Sequence, residues 1–146
     1  MMIFKIVAVG KLKERSFAER CAEYAKRLGA YAKVQLVEVA DGTVESEGTA
    51  ILRELDRERH AEVVVLSEEG REFDTAGFAR RLAAADRKIV FVIGGPFGLA
   101  PEVKARAQLL WSLSRLTFTH EMARTLLLEQ LYRACNLNAG GSYHHR

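Results

Sequence analysis

The chain has 146 residues, a hydrophobic fraction of 49%, a charged fraction of 28% and a formal net charge of +3. These values are typical of one globular domain and exclude the disordered, fibrous and collagen-like classes of protein. No apolar run reaches the roughly 18 residues of a membrane span, and no small-residue cleavage site follows the first apolar stretch, so we expect neither a membrane protein nor a secreted one.

Apolar residues change from strand-like to helix-like spacing five times along the chain, with short connections. The predicted strands lie at 2–9, 33–39, 62–66, 88–93 and 112–118, and a polar loop, SEEGREF at 67–73, is predicted after the third strand. The predicted helices lie at 16–28, 48–59 and 75–86, from Pro101 onward, and from about Glu121 to Leu137. Because the runs VVVL at 63–66 and IVFVI at 89–93 are uniformly apolar, we expect an α/β fold with a mainly parallel sheet of five to six strands, covered by helices on both faces.

The most informative segment is IVFVIGGPFGLAP at 89–101, where a buried-looking strand runs into a glycine-rich loop. Glycine permits positive φ and close backbone approach, so the loop predicts a ligand cradle at a strand end. It is not a P-loop, because no lysine or hydroxyl residue follows Gly98. It is not a dinucleotide fingerprint either, because its glycine spacing is wrong and it follows the fourth strand. A tight turn that binds no ligand remains the alternative.

Metal and disulfide chemistry is not expected. Cys21 and Cys135 are the only cysteines and form no CxxC motif, which fits reduced thiols in the cytoplasm. His120 and Glu121 begin a possible HExxH motif, but Arg124 stands where the second histidine is required. We therefore interpret His120 as a helix-start residue close to a ligand loop.

Four motifs together resemble one family. They are IGGPFGL after the fourth strand, WSLSRLTFTHEMAR about fifteen residues later, EQLYRA, and the terminal YHHR. In this order they resemble the bacterial 23S rRNA pseudouridine N3-methyltransferases, of the ribosomal RNA large subunit methyltransferase H type. These are small SPOUT-class proteins with a C-terminal trefoil knot, and the resemblance covers essentially the whole chain.

The resemblance implies a homodimer that binds S-adenosylmethionine in the knot and methylates pseudouridine 1915, in the helix 69 loop of 23S rRNA, on the large subunit or the 70S ribosome. It implies no metal and no membrane. Such a cofactor carries no phosphate, which explains a cradle without lysine. The implied cofactor-binding residues are Leu66, Gly95, Ser114, Arg115, Leu116, Thr117, Phe118 and Thr119. By residue type alone, Leu66 could equally be a core leucine.

The tail carries the expected catalytic groups, because Tyr143 and His144 match the terminal pair of the family. Methylation of N3 requires loss of its proton, and His144 is the better base because its unperturbed pKa is near neutrality. The alternative is a disordered or tag-like tail. Ser142 and Thr119 stand where the family usually has proline, which loosens the backbone at both places.

Basic residues near the chain's end are the expected RNA contacts. Arg124 and Arg133 lie nine positions apart on the last helix and face different ways, so one is expected to meet phosphate while the other serves the dimer. Arg146 adds a positive charge at the terminus. Two other functions remain open: a knotted methyltransferase that acts on tRNA or on a different base, and a ribosome-binding protein without catalysis.

Overall fold

The structure, a computed structural model, describes residues 1–145. Its elements in chain order are β1 (Met2–Val9), α1 (Arg15–Leu28), β2 (Ala32–Val39), α2 (Val44–Asp56), β3 (Glu62–Arg71), α3 (Thr75–Ala83), β4 (Ile89–Ile93), α4 (Pro101–Lys104), β5 (Leu109–Trp111) and α5 (His120–Asn138). The five strands form one parallel sheet in the order β2-β1-β4-β3-β5. The predicted α/β fold is confirmed, and the trefoil knot stays a prediction.

The two faces of the sheet bury separate apolar clusters. On β1, Phe4, Ile6 and Ala8 pack against side chains of α1, α3 and α5. The intervening Val7 and Val9 pack against side chains of α2 and α4. Since successive side chains of a strand point to opposite faces, a strand covered on both sides is mostly apolar. The one charged residue of β1, Lys5, is buried and pairs with Glu54 at 3.1 Å and Glu58 at 3.3 Å. Because all five strands are parallel, their carboxyl ends lie at the same edge of the sheet, and both faces of the sheet are covered.

Two strand boundaries differ from the sequence prediction. The last strand is Leu109–Trp111, and residues 112–118, predicted as a strand, form a loop. There the Ser112 hydroxyl donates to the Ser114 carbonyl oxygen at 2.8 Å, and Ser114 Oγ accepts from the Leu116 N–H at 3.0 Å. Such local side-chain bonds compete with the pairing of a strand.

The third strand does not end at residue 66 but runs to Arg71, which pairs with Trp111 after a register shift. Gly70 permits this pairing. A Cβ at Gly70 would lie 2.4 Å from the carbonyl oxygen of Leu110 and 2.7 Å from the nitrogen of Trp111. The segment predicted as a polar loop is therefore a continuation of β3, and its polar side chains border the carboxyl edge of the sheet.

The helix boundaries follow their caps. Helix α2 begins four residues before the prediction, because Thr43 and Ser46 form a reciprocal capping box. Asp74 caps α3, and its Oδ1 accepts from the Gly77 N–H at 2.7 Å. Within residues 1–145, no helix is both long and apolar enough to cross a membrane.

Candidate functional site

A cavity of about 380 Å³ opens at the carboxyl edge of the sheet, between the ends of β4, β3 and β5. Its walls are residues 66–69 of β3, the glycine loop (94–98), the serine loop (112–119), and the first turn of α5. Small-molecule sites commonly have volumes of about 300–1,000 Å³ and lie where parallel strands end. Its size and position therefore suit a small organic ligand.

The structure brings most of the predicted cofactor residues together at this cavity. Those that line it are Leu66, Gly95, Ser114, Leu116, Thr117 and Phe118. Two predicted side chains are engaged elsewhere. Arg115 Nε donates to Glu72 Oε1 at 3.2 Å, and Thr119 caps α5 by accepting from the Met122 N–H at 3.2 Å. His120, the first residue of α5, lines the cavity, as a helix-start residue near a ligand loop should.

The glycine loop is a tight turn with Pro96 and Phe97 at its tip. The Gly98 N–H donates to the Gly95 carbonyl oxygen at 3.1 Å, and Gly98 has φ +86°, which favours glycine. A Cβ at Gly95 would lie 3.0 Å from Val9 Cγ1 and 3.1 Å from Glu47 Oε1. The absence of a side chain at Gly95 therefore allows Val9 and Glu47 to pack against it. The protein itself, and not a ligand, occupies the space that a Cβ would take.

Two acidic residues of the cavity were missed in the sequence, because residues 67–73 were interpreted as a polar loop. Glu68 Oε2 accepts from the Thr117 hydroxyl at 2.8 Å, which links β3 to the serine loop. Lys104 Nζ lies 2.5 Å from Glu69 Oε1, and this hydrogen bond lowers the pKa of Glu69 below its usual range. The signal that could have found both carboxylates is their position directly after an apolar strand.

The first turns of α5 hold the β1–α1 connection beside the cavity. Glu121 Oε1 accepts from the N–H groups of Lys13 at 2.5 Å and of Glu14 at 3.0 Å. The bond from Glu14, followed by that from Lys13, lowers the pKa of Glu121. At the start of this connection, a Cβ on Gly10 would lie 3.4 Å from His120 Nε2. Helix α5 therefore positions one rim of the cavity through the backbone of another element.

Arg124 is placed differently from the prediction that it contacts RNA. Its side chain is 1% exposed, with Nη1 donating to Glu38 Oε2 at 2.7 Å and Nη2 donating to the Gly10 carbonyl oxygen at 2.9 Å. The guanidinium is thus occupied inside the protein and is not presented to an RNA. Its place in the structure is that of an anchor for the end of β1.

The tail folds back on the carboxyl-terminal half of α5. The Tyr143 hydroxyl donates to Glu129 Oε2 at 2.9 Å, its ring lies 4.7 Å from the Arg133 guanidinium, and its N–H donates to Asn136 Oδ1 at 3.1 Å. Burial, followed by the bond to Glu129, raises the pKa of the Tyr143 phenol. Arg133 also pairs with Glu129, at 2.5 Å. The tail is therefore docked on the protein, and Arg146, predicted to contact RNA, lies outside the described residues.

His144 is held by Arg133. Arg133 Nη1 lies 3.1 Å from His144 Nδ1, and because arginine has no acceptor, Nδ1 must accept this hydrogen bond. A neutral His144 then carries its proton on Nε2, which is buried without a partner among the described residues. In this position Nδ1 is not free to take a proton from a substrate. His144 must leave Arg133 before it can act as the predicted base.

The tail and the cavity lie at opposite ends of α5. Ten residues separate Ala123, the last residue of α5 that lines the cavity, from Arg133, which holds His144, and this corresponds to about 15 Å of helix. No described residue of the tail lines the cavity.

In the described part of the chain, no three side chains of histidine, cysteine, aspartate or glutamate cluster in a way that could hold a metal ion.

Comparison with known proteins gives one consistent family. The family model described as "Predicted SPOUT methyltransferase" matches residues 2–144. "Ribosomal RNA large subunit methyltransferase H" is 45% identical over 152 positions in Gloeobacter violaceus, 38% over 161 in Desulfitobacterium hafniense and 40% over 160 in Symbiobacterium thermophilum. These alignments cover 98–99% of this chain and 99% of each relative. A solved structure, "a probable methylase family protein" from Haemophilus influenzae, shares the fold with a TM-score of 0.59 at 14% identity, over 99% of this chain and 70% of that one.

Proposed function

Because the chain belongs to the SPOUT methyltransferase family, we propose that it methylates ribosomal RNA of the large subunit, with S-adenosylmethionine as the methyl donor. Three relatives that align over nearly their whole length carry a name that states this substrate. The finer target, N3 of pseudouridine 1915 in the helix 69 loop of 23S rRNA, rests on the resemblance alone. The reduced cysteines of the chain fit action in the cytoplasm.

The observation that carries the proposal is the cavity between β3, the glycine loop and the serine loop. Its volume of about 380 Å³ suits a nucleoside with an amino-acid arm. Leu66, Leu116 and Phe118 offer apolar walls for a purine ring, while the serine loop offers backbone donors and acceptors for its edge. Glu68 and Glu69 offer acceptors for hydroxyl or ammonium groups. The residues present therefore fit this cofactor.

When bound, the cofactor supplies an electrophilic methyl group on a sulfonium. The chain's own residues must orient the RNA base, exclude water and remove the proton of N3, so positioning and electrostatics carry most of the catalysis. We assign removal of the N3 proton to His144. The histidine must first exchange its hydrogen bond with Arg133 for one with the substrate. Arg133, released from His144, keeps its bond to Glu129 and remains a candidate contact for phosphate.

We further propose that the active form is a homodimer. His144 of one copy is held by Arg133, about 15 Å along α5 from Ala123 at the cavity of the same copy, which is beyond the reach of its side chain. A second copy that sets its tail beside this cavity would unite base and cofactor. Sedimentation at micromolar concentration should give twice the monomer mass of 16.3 kDa. A monomer that is fully active would contradict both the dimer and the shared site.

The cofactor is tested by calorimetric titration with S-adenosylhomocysteine. Binding is expected, and its absence would favour a ribosome-binding protein without catalysis. The substrate is tested by incubation with ribosomal subunits that lack the modification and with radiolabelled cofactor. Reverse transcription should then halt at the methylated base, because N3 lies on its pairing edge. Transfer of label to tRNA instead would favour the knotted tRNA enzymes.

The tail separates binding from chemistry. Removing residues 143–146 should leave the affinity for S-adenosylmethionine unchanged while methyl transfer collapses. His144→Ala should cost about 10²–10⁴-fold in rate, as loss of a general base does. His145→Ala, at the exposed neighbouring histidine, is the matched control and should keep its rate. If His144→Ala keeps full turnover while the truncation loses it, the tail positions RNA and the base lies elsewhere.

A further inference from the structure

The cavity carries a negative charge that the predicted cofactor loops do not explain. Glu68 and Glu69 both line it, and Lys104 is the one lysine or arginine among its described lining residues. Lys104 pairs with Glu69 at 2.5 Å, so these two charges cancel. Glu68 forms no ion pair within the described residues, and its hydrogen bond comes from the neutral hydroxyl of Thr117 at 2.8 Å. One exposed carboxylate that lines the cavity therefore has no ion-pair partner among the described residues.

We propose that Glu68 makes the cavity selective for a sulfonium cation over the neutral thioether of the same nucleoside. This inference rests on the proposed function, since the sulfonium is the methyl donor and the thioether its product. The two ligands share every other group and differ by one methyl and one positive charge. A contact from Glu68 to a ribose hydroxyl or to the ammonium group would strengthen both equally, whereas an uncompensated carboxylate near the sulfur favours only the cation.

Thr117 positions Glu68 for this role. Its hydroxyl donates to Oε2 and so ties the Glu68 carboxylate, on β3, to the serine loop. Lys104 acts in the opposite direction, because it neutralises the second carboxylate. The selectivity should therefore fall when Glu68 loses its charge and rise when Lys104 does. A merely structural role for either residue would not produce opposite changes.

The test is calorimetric titration of the purified protein with S-adenosylmethionine and with S-adenosylhomocysteine. Glu68 is exposed to solvent, and an exposed ion pair typically changes an equilibrium by at most about fivefold. Glu68→Gln should therefore lower the ratio of the two affinities about two- to fivefold, mostly through weaker binding of the cation. Thr117→Val should lower it by a smaller factor, and Lys104→Gln should raise it. Salt should reduce the ratio in the unaltered protein, because ions screen this attraction.

Glu19→Gln is the control. It removes the same charge from the exposed surface of α1, where Glu19 pairs with Arg15 and does not line the cavity, so the ratio should stay constant. Equal weakening of both ligands in Glu68→Gln would overturn the inference and leave the proposed function standing. An unaltered protein that binds neither ligand would overturn both. Thermal unfolding identifies any variant that is misfolded. If Glu68→Gln is misfolded, the direction in which Lys104→Gln changes the ratio of the two affinities still tests the inference.

Discussion

Replacing Arg124 with methionine should destabilise the protein by about 2–3 kcal/mol. The change leaves the Gly10 carbonyl oxygen without its charged donor, and an unsatisfied buried polar group costs about 1–3 kcal/mol. The ion pair with Glu38 adds about 1 kcal/mol at most, because the Glu38 side chain is 32% exposed and therefore screened by solvent. Methionine fills much of the vacated volume and carries no charge to desolvate, which offsets part of the loss.

Thermal unfolding followed by circular dichroism measures this effect. A chain of 146 residues has an unfolding entropy of about 0.3 kcal/mol/K, so the expected loss lowers Tm by about 8 °C. Arg124→Lys should show a large part of the same decrease in Tm, because one ammonium group cannot occupy the positions of both guanidinium nitrogens. Arg53→Met, at an exposed position of α2, is the control and should change Tm by less than about 2 °C. An Arg124→Met variant as stable as the control would refute the anchoring role.

Three further predictions concern pH, thiol reactivity and the cavity. The pKa of Glu121 is lowered in the folded protein, so its contribution to stability is present above the usual carboxyl pKa of about 4.3 and is lost as the pH falls. The difference in Tm between the unaltered protein and Glu121→Gln should therefore shrink from pH 6 to pH 3, and a constant difference would contradict it. Burial raises the pKa of the Cys135 thiol to about 11, so a thiol reagent at pH 8 should modify it only after unfolding, and rapid native labelling would refute this. Ala123→Leu places three extra carbons in the cavity and should weaken binding of S-adenosylhomocysteine at least tenfold, whereas Ala22→Leu on the exposed face of α1 should not.

Local patterns predicted the fold well, because the strands near the middle of the sheet are apolar on both faces. The apolar runs of β1 and β4 are visible in a few consecutive residues. The continuation of β3 was not, since it depends on Gly70 meeting the backbone of β5, about forty residues later in the chain. The same error concealed Glu68 and Glu69, which looked like residues of a polar loop.

The site was predictable where a motif is contiguous and not where its partners are distant. The glycine and serine loops each hold their contacts within a few residues, and both line the cavity. Arg124 reaches Glu38 and Gly10, which precede it by 86 and 114 positions, so nothing near it in the sequence indicates that it is buried. The docking of Tyr143 on Glu129 likewise depends on the tail reversing direction after α5.

The continuation of β3 has a kinetic consequence. One wall of the cavity is a hydrogen-bonded strand, held against β5 by the contact that only a glycine at position 70 allows. A wall built this way is already ordered before a ligand arrives, so binding does not have to immobilise it. Association should then be limited by diffusion and orientation rather than by closure of this wall, and differences in affinity among cavity variants should lie mainly in the rate of dissociation.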